Sequence, residues 1–497
     1  MDTLEMSPNP LIKFIGKPSF EFTRSDIIKY IEHNNVEMVN FRYVAGDGRL
    51  KVLNFIINSK KHLETILTKG ERVDGSSLFP YVETGSSDLY VVPRFNTAFV
   101  NPFSQEPTID FLCSYFNKDG YPLENSPENV LRKAHKVLFE NTGHTFEAMG
   151  ELEYYVISDK SSLFTNADQK GYHESFPFNK KEAFRIDAMK TIAKAGGYIK
   201  YGHSEVGNFI FNDKVYEQNE IEFLPVTLED AADQLVIAKW ILRALAYKYG
   251  VNITFAPKIT LGKAGSGLHI HTQFKKNGKS VMLNNGKLSD TAKKIIAGYL
   301  YLTPSLTAFG NTNPTSYFRL IPNQEAPTKI CWGHRNRSAL VRIPLAWLDN
   351  AINMMKLANP KEVAFTSGDD NKDYQTIEYR CSDGSADVYL LLAGLAVAAR
   401  YGLEMEDALE YAEKTYVEKN IFKDENLAKQ LPTLPTSCWE SAEMLEKQKD
   451  IYLKCNVFTE NLIQGTINKL KSYGDKNLIK DNEEAIIELI NKYFYCG

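Results

Sequence analysis

The sequence predicts an α+β protein of two units, a small one over residues 1–105 and a larger one over residues 106–497. Three observations carry that prediction. Two alternating strand-like runs stand between helical stretches early in the chain. A Pro-containing stretch, "NPFSQEPTID" at 101–110, then interrupts the pattern. Beyond it, β-type runs alternate irregularly with helices, without an internal repeat.

The elements follow in order. "TRSDIIKYIEHNN" at 23–35 reads as a helix with Ser25 as its expected cap. "VEMVNFRYV" and "LKVLNFII" alternate as strands around the turn "GDGR", and a second helix is expected over 60–68. "VDGSSLFPYVETGSSDLYVVPRF" is rich in Gly and Ser between β-type residues and predicts a prominent loop over 74–88. The clearest later helix is "TLEDAADQLVIAKWILRALAYKYG", with Thr227 and Asp230 resembling a capping box and Gly250 ending it. "VYLLLAGLAVAA" at 388–399 is too short to cross a bilayer and reads as a buried helix. Residues 467–497 read as one more amphipathic helix, and 343–375 as an irregular insertion.

The charged fraction of 24% and apolar fraction of 43% are those of an ordinary soluble globular protein. A net charge of −4 gives no basic field for nucleic acid or an anionic membrane. The six cysteines are scattered without a CxxC pair, which predicts reduced thiols, a cytoplasmic setting and no zinc motif. The start, "MDTLEMSPNPLIKF", has no apolar core of a secretory signal.

Chemistry enters with "GELEYYVI" at 150–157, a strand-like run carrying Glu151 and Glu153 two residues apart. Side chains at i and i+2 share one face of a strand, so these carboxylates stand side by side. "NEIEFLPV" repeats the spacing with Glu220 and Glu222, "GLHIHTQF" with His269 and His271, and "TIEYRCSD" with Glu378 and Arg380. One such pair is ordinary on a solvated sheet face. Four of them inside otherwise apolar strands fit strands converging on a polar cavity. Glu205 in "GHSEVGNF" says nothing by itself.

Five carboxylates with an imidazole suit Mg²⁺ or Mn²⁺ better than zinc, and two dications would remove the mutual repulsion. Arg319, Arg335, Arg337, Arg342 and Arg380 supply planar forks for phosphate and carboxylate. No GxxxxGK[ST] is present, so ATP would have to bind through metals and arginines. These residues lead to a two-metal enzyme acting on phosphate and leave ligase, kinase and hydrolase open.

The motifs "VDGSS" with "SSDLYVVP", "GELEYY", "HSEVG", "QNEIEF", "FAPK", "GSGLHIH", "SYFRLIPNQEAP", "NRSALVRIP" and "IEYR" occur in that order, and with them the chain resembles glutamine synthetase over essentially its full length. The resemblance implies a small N-terminal β-grasp-like domain and a larger catalytic α/β domain of guanido-kinase-like type, with a curved antiparallel sheet. It implies that Glu153, Glu205 and Glu220 hold one cation, and that Glu151, His269 and Glu378 hold a second. His271 and Arg342 would meet ATP; Gly265, Arg319, Arg380 and Tyr172 would contact the amino acid or line its pocket. Asp74 and Glu325 would bind ammonium and close over the intermediate, and Arg337 would neutralise the transferred phosphoryl group.

The implied reaction uses ATP and Mg²⁺ or Mn²⁺ to join ammonia to the γ-carboxylate of glutamate. The implied assembly is a homo-oligomer of rings, hexamers stacked as a dodecamer, with Asp74 serving the neighbouring subunit. A γ-glutamyl ligase for a larger amine and a non-catalytic relative are the alternatives.

The chain departs from the family pattern in several places. Glu205 and Glu220 are 15 residues apart around "NFIFNDKV", Ala264 stands where an Asn is usual, Thr376 where an Arg is frequent and Ser382 where a Pro is customary. Phe422 in "KNIFKD" stands where some members carry an adenylylated Tyr, which predicts control by other means.

Overall fold

The computed structural model describes residues 2–82, 87–321, 326–346, 351–361, 375–477 and 483–497. The first of its two main sheets contains β1 (Met38–Val44), β2 (Leu50–Ile56), β3 (Glu71–Asp74), β4 (Asp88–Pro93), β5 (Phe99–Val100) and β6 (Thr108–Phe116). The strand order is β2-β1-β6-β4-β3, with β5 also on β6. β1 runs parallel to β6, and the other pairs are antiparallel.

The helices Arg24–His33 and Lys60–Lys69 bury Ile27, Ile31, Leu63, Ile66 and Leu67 in one cluster with Val39, Phe41, Ile109 and Phe111 of the strands. Thr23, not Ser25, caps the first of these helices. Its hydroxyl accepts from the Asp26 N–H at 3.3 Å while the Asp26 carboxylate accepts from the Thr23 N–H at 3.0 Å. Ser25 already lies inside the first turn, where its side chain cannot serve that pair of donors.

The Pro-containing stretch runs into the start of β6 and does not end the first sheet, since β6 is an interior strand between β1 and β4. We therefore propose that the division between the units falls after residue 116 rather than at 105. Several contacts tie the units together, two of them through arginines of the first unit. The Arg42 guanidinium lies 3.8 Å from the centre of the Trp240 ring, and Arg94 makes two bonds to Asp233, at 2.6 and 2.8 Å.

Among the described residues the second sheet has ten strands. Its long members are β7 (His144–Asp159), β8 (Ile199–Phe211) and β9 (Lys214–Phe223), followed by the short β10 (Val226–Thr227) and β11 (Asn252–Thr254) and by β12 (Leu268–Lys276). Across the sheet the order is Trp332–His334, Val341–Ile343, Ile377–Tyr379, β12, β7, β9, β8. Neighbours along it are antiparallel except the first pair.

Alternate residues of the central strands, among them Leu152, Tyr154, Ile221 and Ile270, are fully buried in a core shared with the helices Leu228–Lys248, Asp290–Gly310 and Val388–Glu404. The period of two therefore sends the intervening residues to the other face. Thr227 caps the helix Leu228–Lys248, and Gly250 follows it at φ 62°. Among the described residues no single helix is long and apolar enough to cross a membrane.

The expected helix over 467–497 is instead two, Glu460–Ser472 and Glu483–Lys492. Gly474, at φ 63°, ends the first, although Ile467 and Leu470 continue the apolar stripe up to it. Of the insertion expected over 343–375, Ala351–Ala358 forms a helix, and 347–350 and 362–374 lie outside the described residues.

Candidate active site

The register of the second sheet places the expected residues in rows. Glu151 of β7 stands opposite His269 of β12 on one side and Glu222 of β9 on the other, and Glu222 stands opposite Tyr201 of β8. Two residues along, Glu153 faces Glu220, which faces His203. In the adjoining row His271 faces Glu378, which faces Arg342. Two carboxylates directly opposite each other on a sheet are unfavourable, by roughly 3 kcal/mol at 5 Å and an effective dielectric of 20. This sheet has two such pairs on one face, Glu151–Glu222 and Glu153–Glu220.

The polar face lines a groove of about 1680 Å³. Glu151 divides its two oxygens between two imidazoles: Oε2 lies 2.7 Å from His269 Nδ1, and Oε1 lies 2.8 Å from His271 Nε2. The two oxygens of Glu378 meet two arginines, Arg342 Nη1 at 2.7 Å and Arg380 Nε at 3.0 Å. Glu151, His269 and Glu378 offer ligand atoms that all lie within 4.8 Å of one another. So do His203, Glu205 and Glu220.

Glu205 reaches the second group at an irregularity of β8, where the register shifts between Ser204 and Asn208. Glu153 lies beside that group rather than within it. Its Oε2 accepts from the Gly267 N–H at 2.8 Å and from Gln218 Nε2 at 2.9 Å, and its Oε1 is 3.8 Å from His269 Nε2.

Electrostatics follow the crowding. Burial raises Glu220 well above the usual carboxylate range, and Glu151, Glu153, Glu205 and Glu222 add to the rise. Burial also opposes ionisation of Glu151, but His271 and His269 outweigh it and hold that carboxyl low. At Glu378, Arg380 and the two imidazoles overcome burial and the repulsion from Glu151, and the net direction is down. Burial alone would lower His271; Glu151, Glu378 and Glu222 raise it instead.

Arg319 is buried at the groove, with Nη1 donating to the Cys381 carbonyl at 2.9 Å and Nη2 3.5 Å from His269 Nε2. Gly265 allows this approach, because a Cβ there would come within 2.5 Å of the Pro257 carbonyl and 3.0 Å of Arg319 Cγ. Arg380 also donates to the Arg337 carbonyl. The Arg337 side chain, Tyr172, Ala264, Thr376 and Phe422 line the groove as well. Burial lowers the Arg337 guanidinium, but the phenol of Tyr172 together with Glu378 and Glu205 outweighs it and the net direction is up.

Asp74 stands apart. It ends β3 in the first unit and does not line the groove. Its carboxylate accepts from Ser76 N–H at 3.0 Å, Ser76 Oγ at 2.7 Å and Ser77 Oγ at 2.6 Å, and the serine hydroxyls hold it well below the usual range. Glu325 lies outside the described residues.

Sequence reasoning passed over His203, Lys200 and Gln218 and gave Glu222 no role. His203 and Glu205 repeat the i, i+2 spacing of the other pairs, a signal available in "GHSEVG". Lys200, whose Nζ is 2.6 Å from Glu222 Oε1, leaves no comparable trace, because only the β8–β9 pairing brings the two together.

Comparison with known proteins agrees with this geometry. The family model for the glutamine synthetase catalytic domain matches residues 124–473, and that for the glutamine synthetase β-grasp domain matches residues 35–118. A glutamine synthetase of Mycolicibacterium smegmatis is 30% identical over 489 residues, covering 90% of this chain and 94% of that protein. One of Pyrococcus furiosus is 29% identical over 468 residues, covering 93% and 97%. Among solved structures, Plasmodium falciparum glutamine synthetase superposes with a TM-score of 0.74 at 18% identity, covering 93% of this chain and 98% of that one. Apo GmaS superposes with a TM-score of 0.71 at 17% identity, covering 93% and 99%. At those identities the two structures speak for the fold alone. With both domain models matched in order over most of its length, the chain belongs to the glutamine synthetase family.

Proposed function

We propose that this chain is an ATP-dependent ligase that joins ammonia to the γ-carboxylate of L-glutamate through γ-glutamyl phosphate, giving L-glutamine, ADP and phosphate. The observation that carries the proposal is the convergence of three cross-strand rows of carboxylates and imidazoles with four arginines on one groove.

The donor set fits Mg²⁺ or Mn²⁺. It is dominated by carboxylate oxygens from several strands, with no cysteine among them. Glu151, His269 and Glu378 would hold one cation; Glu205 and Glu220, with Glu153 and His203 beside them, would hold another. Such cations supply charge neutralisation and orientation for phosphoryl transfer.

The side chains do the rest. Arg319 anchors the carboxylate of the amino acid, and its rigid seat beside Gly265 fixes where the substrate lies. Arg337, Arg342 and Arg380 surround the γ-carboxylate and the phosphates and offset charge as the phosphoryl group moves. His271 helps to position ATP. Tyr172, held against Arg337, lines the ammonium side. Attack on the activated carbonyl forms the C–N bond, phosphate leaves with the C–O electrons, and a carboxylate takes the proton of ammonium.

Asp74 stays ionised throughout the working range and suits holding the ammonium cation by its charge. Its place off the groove of its own chain supports a ring assembly in which it completes a neighbouring subunit's site. Two hexameric rings stacked as a dodecamer are the reading we carry forward. The six cysteines, none of them paired, support a reducing cytoplasmic setting.

Protein incubated with ATP, Mg²⁺ and glutamate is expected to release phosphate only when ammonium is added, with glutamine formed in equal amount. Phosphate release that depends on putrescine rather than ammonium would replace this reading with a ligase for larger amines. Asp74→Asn is expected to raise the ammonium requirement at least tenfold; unaltered ammonium dependence would remove Asp74 from the site.

A further inference from the structure

We propose that residues 483–497 form a positioning strap for the amino-acid end of the groove. They hold from behind the three segments that carry Arg319, Gly265 and Arg380, and so set the affinity for the amino-acid substrate without touching it. The identity of that substrate rests on the ligase reading; the strap itself rests on packing.

The strap lies beyond residue 473, where the match to the catalytic-domain family model ends. Its helix, Glu483–Lys492, buries Ile486 and Ile490, four residues apart and therefore on one face. Both lie in a small cluster with Phe318, and Leu489 packs on it. Phe318 precedes Arg319 in the helix Ser316–Arg319, so this contact fixes the backbone from which the guanidinium enters the groove.

The second hold is on the substrate loop. Phe494 and Cys496 pack against Tyr155, Phe209, Ala256 and Ile259. The Tyr155 hydroxyl donates to the Ala264 carbonyl at 2.8 Å, and the Ser266 N–H donates to the Pro257 carbonyl at 3.0 Å. Gly265, the seat of Arg319, stands between those two bonded residues.

The third hold is on Gly384. Gly497 lies against it at φ 87°, and a Cβ on Gly497 would collide with the Gly384 carbonyl. The same carbonyl accepts from the buried Lys239 Nζ at 2.8 Å. Just before Gly384, Asp383 bridges to Gly267, and the Ser382 carbonyl accepts from the Leu268 N–H at 3.0 Å. One seat thus steadies both the Arg380 segment and the loop of Gly265.

Polar contacts from both units keep the strap in one register. Arg49 Nη2 donates to the Tyr495 carbonyl at 2.7 Å, and Asn252 Nδ2 to the Tyr495 hydroxyl at 2.8 Å. Thr254 Oγ1 donates to the Phe494 carbonyl, and Arg243 to the carbonyls of Cys496, at 3.1 Å, and Gly497. No residue of 483–497 lines the groove. A substrate met by segments already in place is spared the cost of ordering them, so loosening them weakens its binding. Glu151 and Glu222 are held instead by the ladder of their own sheet.

Two variants of the full-length protein test this. Phe494→Ala empties the cluster; Gly497→Ala removes nothing and adds a Cβ against Gly384. In each, KM for glutamate is expected to rise at least fivefold. KM for ATP and Mn²⁺ affinity should change less than twofold, and kcat less than threefold. Phe494→Leu refills the cluster and should bring the glutamate KM back within twofold of wild type. In hydrogen exchange, amides of 257–267 and 380–385 should open at least tenfold faster in Phe494→Ala, with those of 149–151 unchanged.

Glutamate KM unchanged in both variants, ATP KM raised in step with it, or unaltered exchange would overturn the proposal. Gly497→Ala keeps the test decisive should Phe494→Ala fail to fold. Exchange needs no turnover. Wild type that makes no glutamine sinks the ligase reading, and the strap still stands or falls on whether those amides open.

Discussion

Both sheets bury acids, and they treat them in opposite ways. Asp110 of β6 is fully buried and surrounded by donors: Arg42, Asn40 Nδ2 at 2.8 Å, and Asn101 Nδ2 at 3.0 Å from one oxygen and 3.1 Å from the other. The protein supplies that acid with an ion-pair partner and donors of its own, although burial still raises its proton affinity. In the second sheet Glu220 is as deeply placed, yet its cross-strand neighbours are Glu153 and His203, and four carboxylates push its proton affinity up. Around Glu220 the internal balance is a single imidazole, His203 Nε2 at 3.1 Å, set against burial and those four carboxylates. An acid satisfied from within serves the fold, whereas acids set against one another are a place kept for a ligand.

The comparison can be broken most forcefully at Arg42. Arg42→Ala strands Asp110 without its ion-pair partner and also removes the guanidinium from the Trp240 ring, so it acts on the joint between the units. A buried pair broken on one side costs about 3–5 kcal/mol, to be read from the midpoint of denaturant unfolding. Mn²⁺ affinity of the folded variant should change less than twofold. A stability change under about 1 kcal/mol, the scale of an exposed pair, would place Asp110 among ordinary surface acids.

The second sheet predicts the reverse. If its acids are kept for cations, Mn²⁺ at about 100 times its dissociation constant should raise stability by about 2.7 kcal/mol, seen as a rise in Tm. Glu378→Gln leaves Arg342 and Arg380 facing a neutral amide. It is expected to weaken Mn²⁺ binding by roughly 10–100-fold and to remove most of that rise. A metal-induced rise of the same size in the variant would take Glu378 out of the cation site.

How much of this was legible in the sequence depends on where the information sits. The i, i+2 pairs at Glu151/Glu153, Glu220/Glu222 and His269/His271 told which residues share a face, because strand geometry alone fixes that. Which pairs stand opposite which is a matter of register between strands tens of residues apart. No local pattern encodes that Glu151 faces Glu222, or that Lys200 reaches Glu222. The end we propose for the first unit differs from the expected one for a related reason. Pro102 and Pro107 mark a loop, but whether the next strand returns to the same sheet depends on β1 accepting β6 as a parallel partner. The break at Gly474 was readable in principle, yet the apolar stripe on either side of it pulled the expectation toward one helix.

The smallest effect sharpens the comparison by staying in the first unit. Thr23 and Asp26 cap the helix Arg24–His33 reciprocally, while Ser25 stands within the first turn. Thr23→Ala should cost about 1 kcal/mol, and Ser25→Ala less than about 0.5 kcal/mol, both from denaturant midpoints at unchanged slope. Neither should alter Mn²⁺ binding, since the cap contacts none of the acids of the second sheet. If Ser25→Ala proved the costlier of the two, the helix would begin two residues later than it does here. The capping box would then be a crossing of side chains without energetic weight. If Thr23→Ala weakened Mn²⁺ binding, the two units would be coupled through the joint at Arg42 and Trp240, and the separation of structural from functional acids would have to be redrawn around that joint.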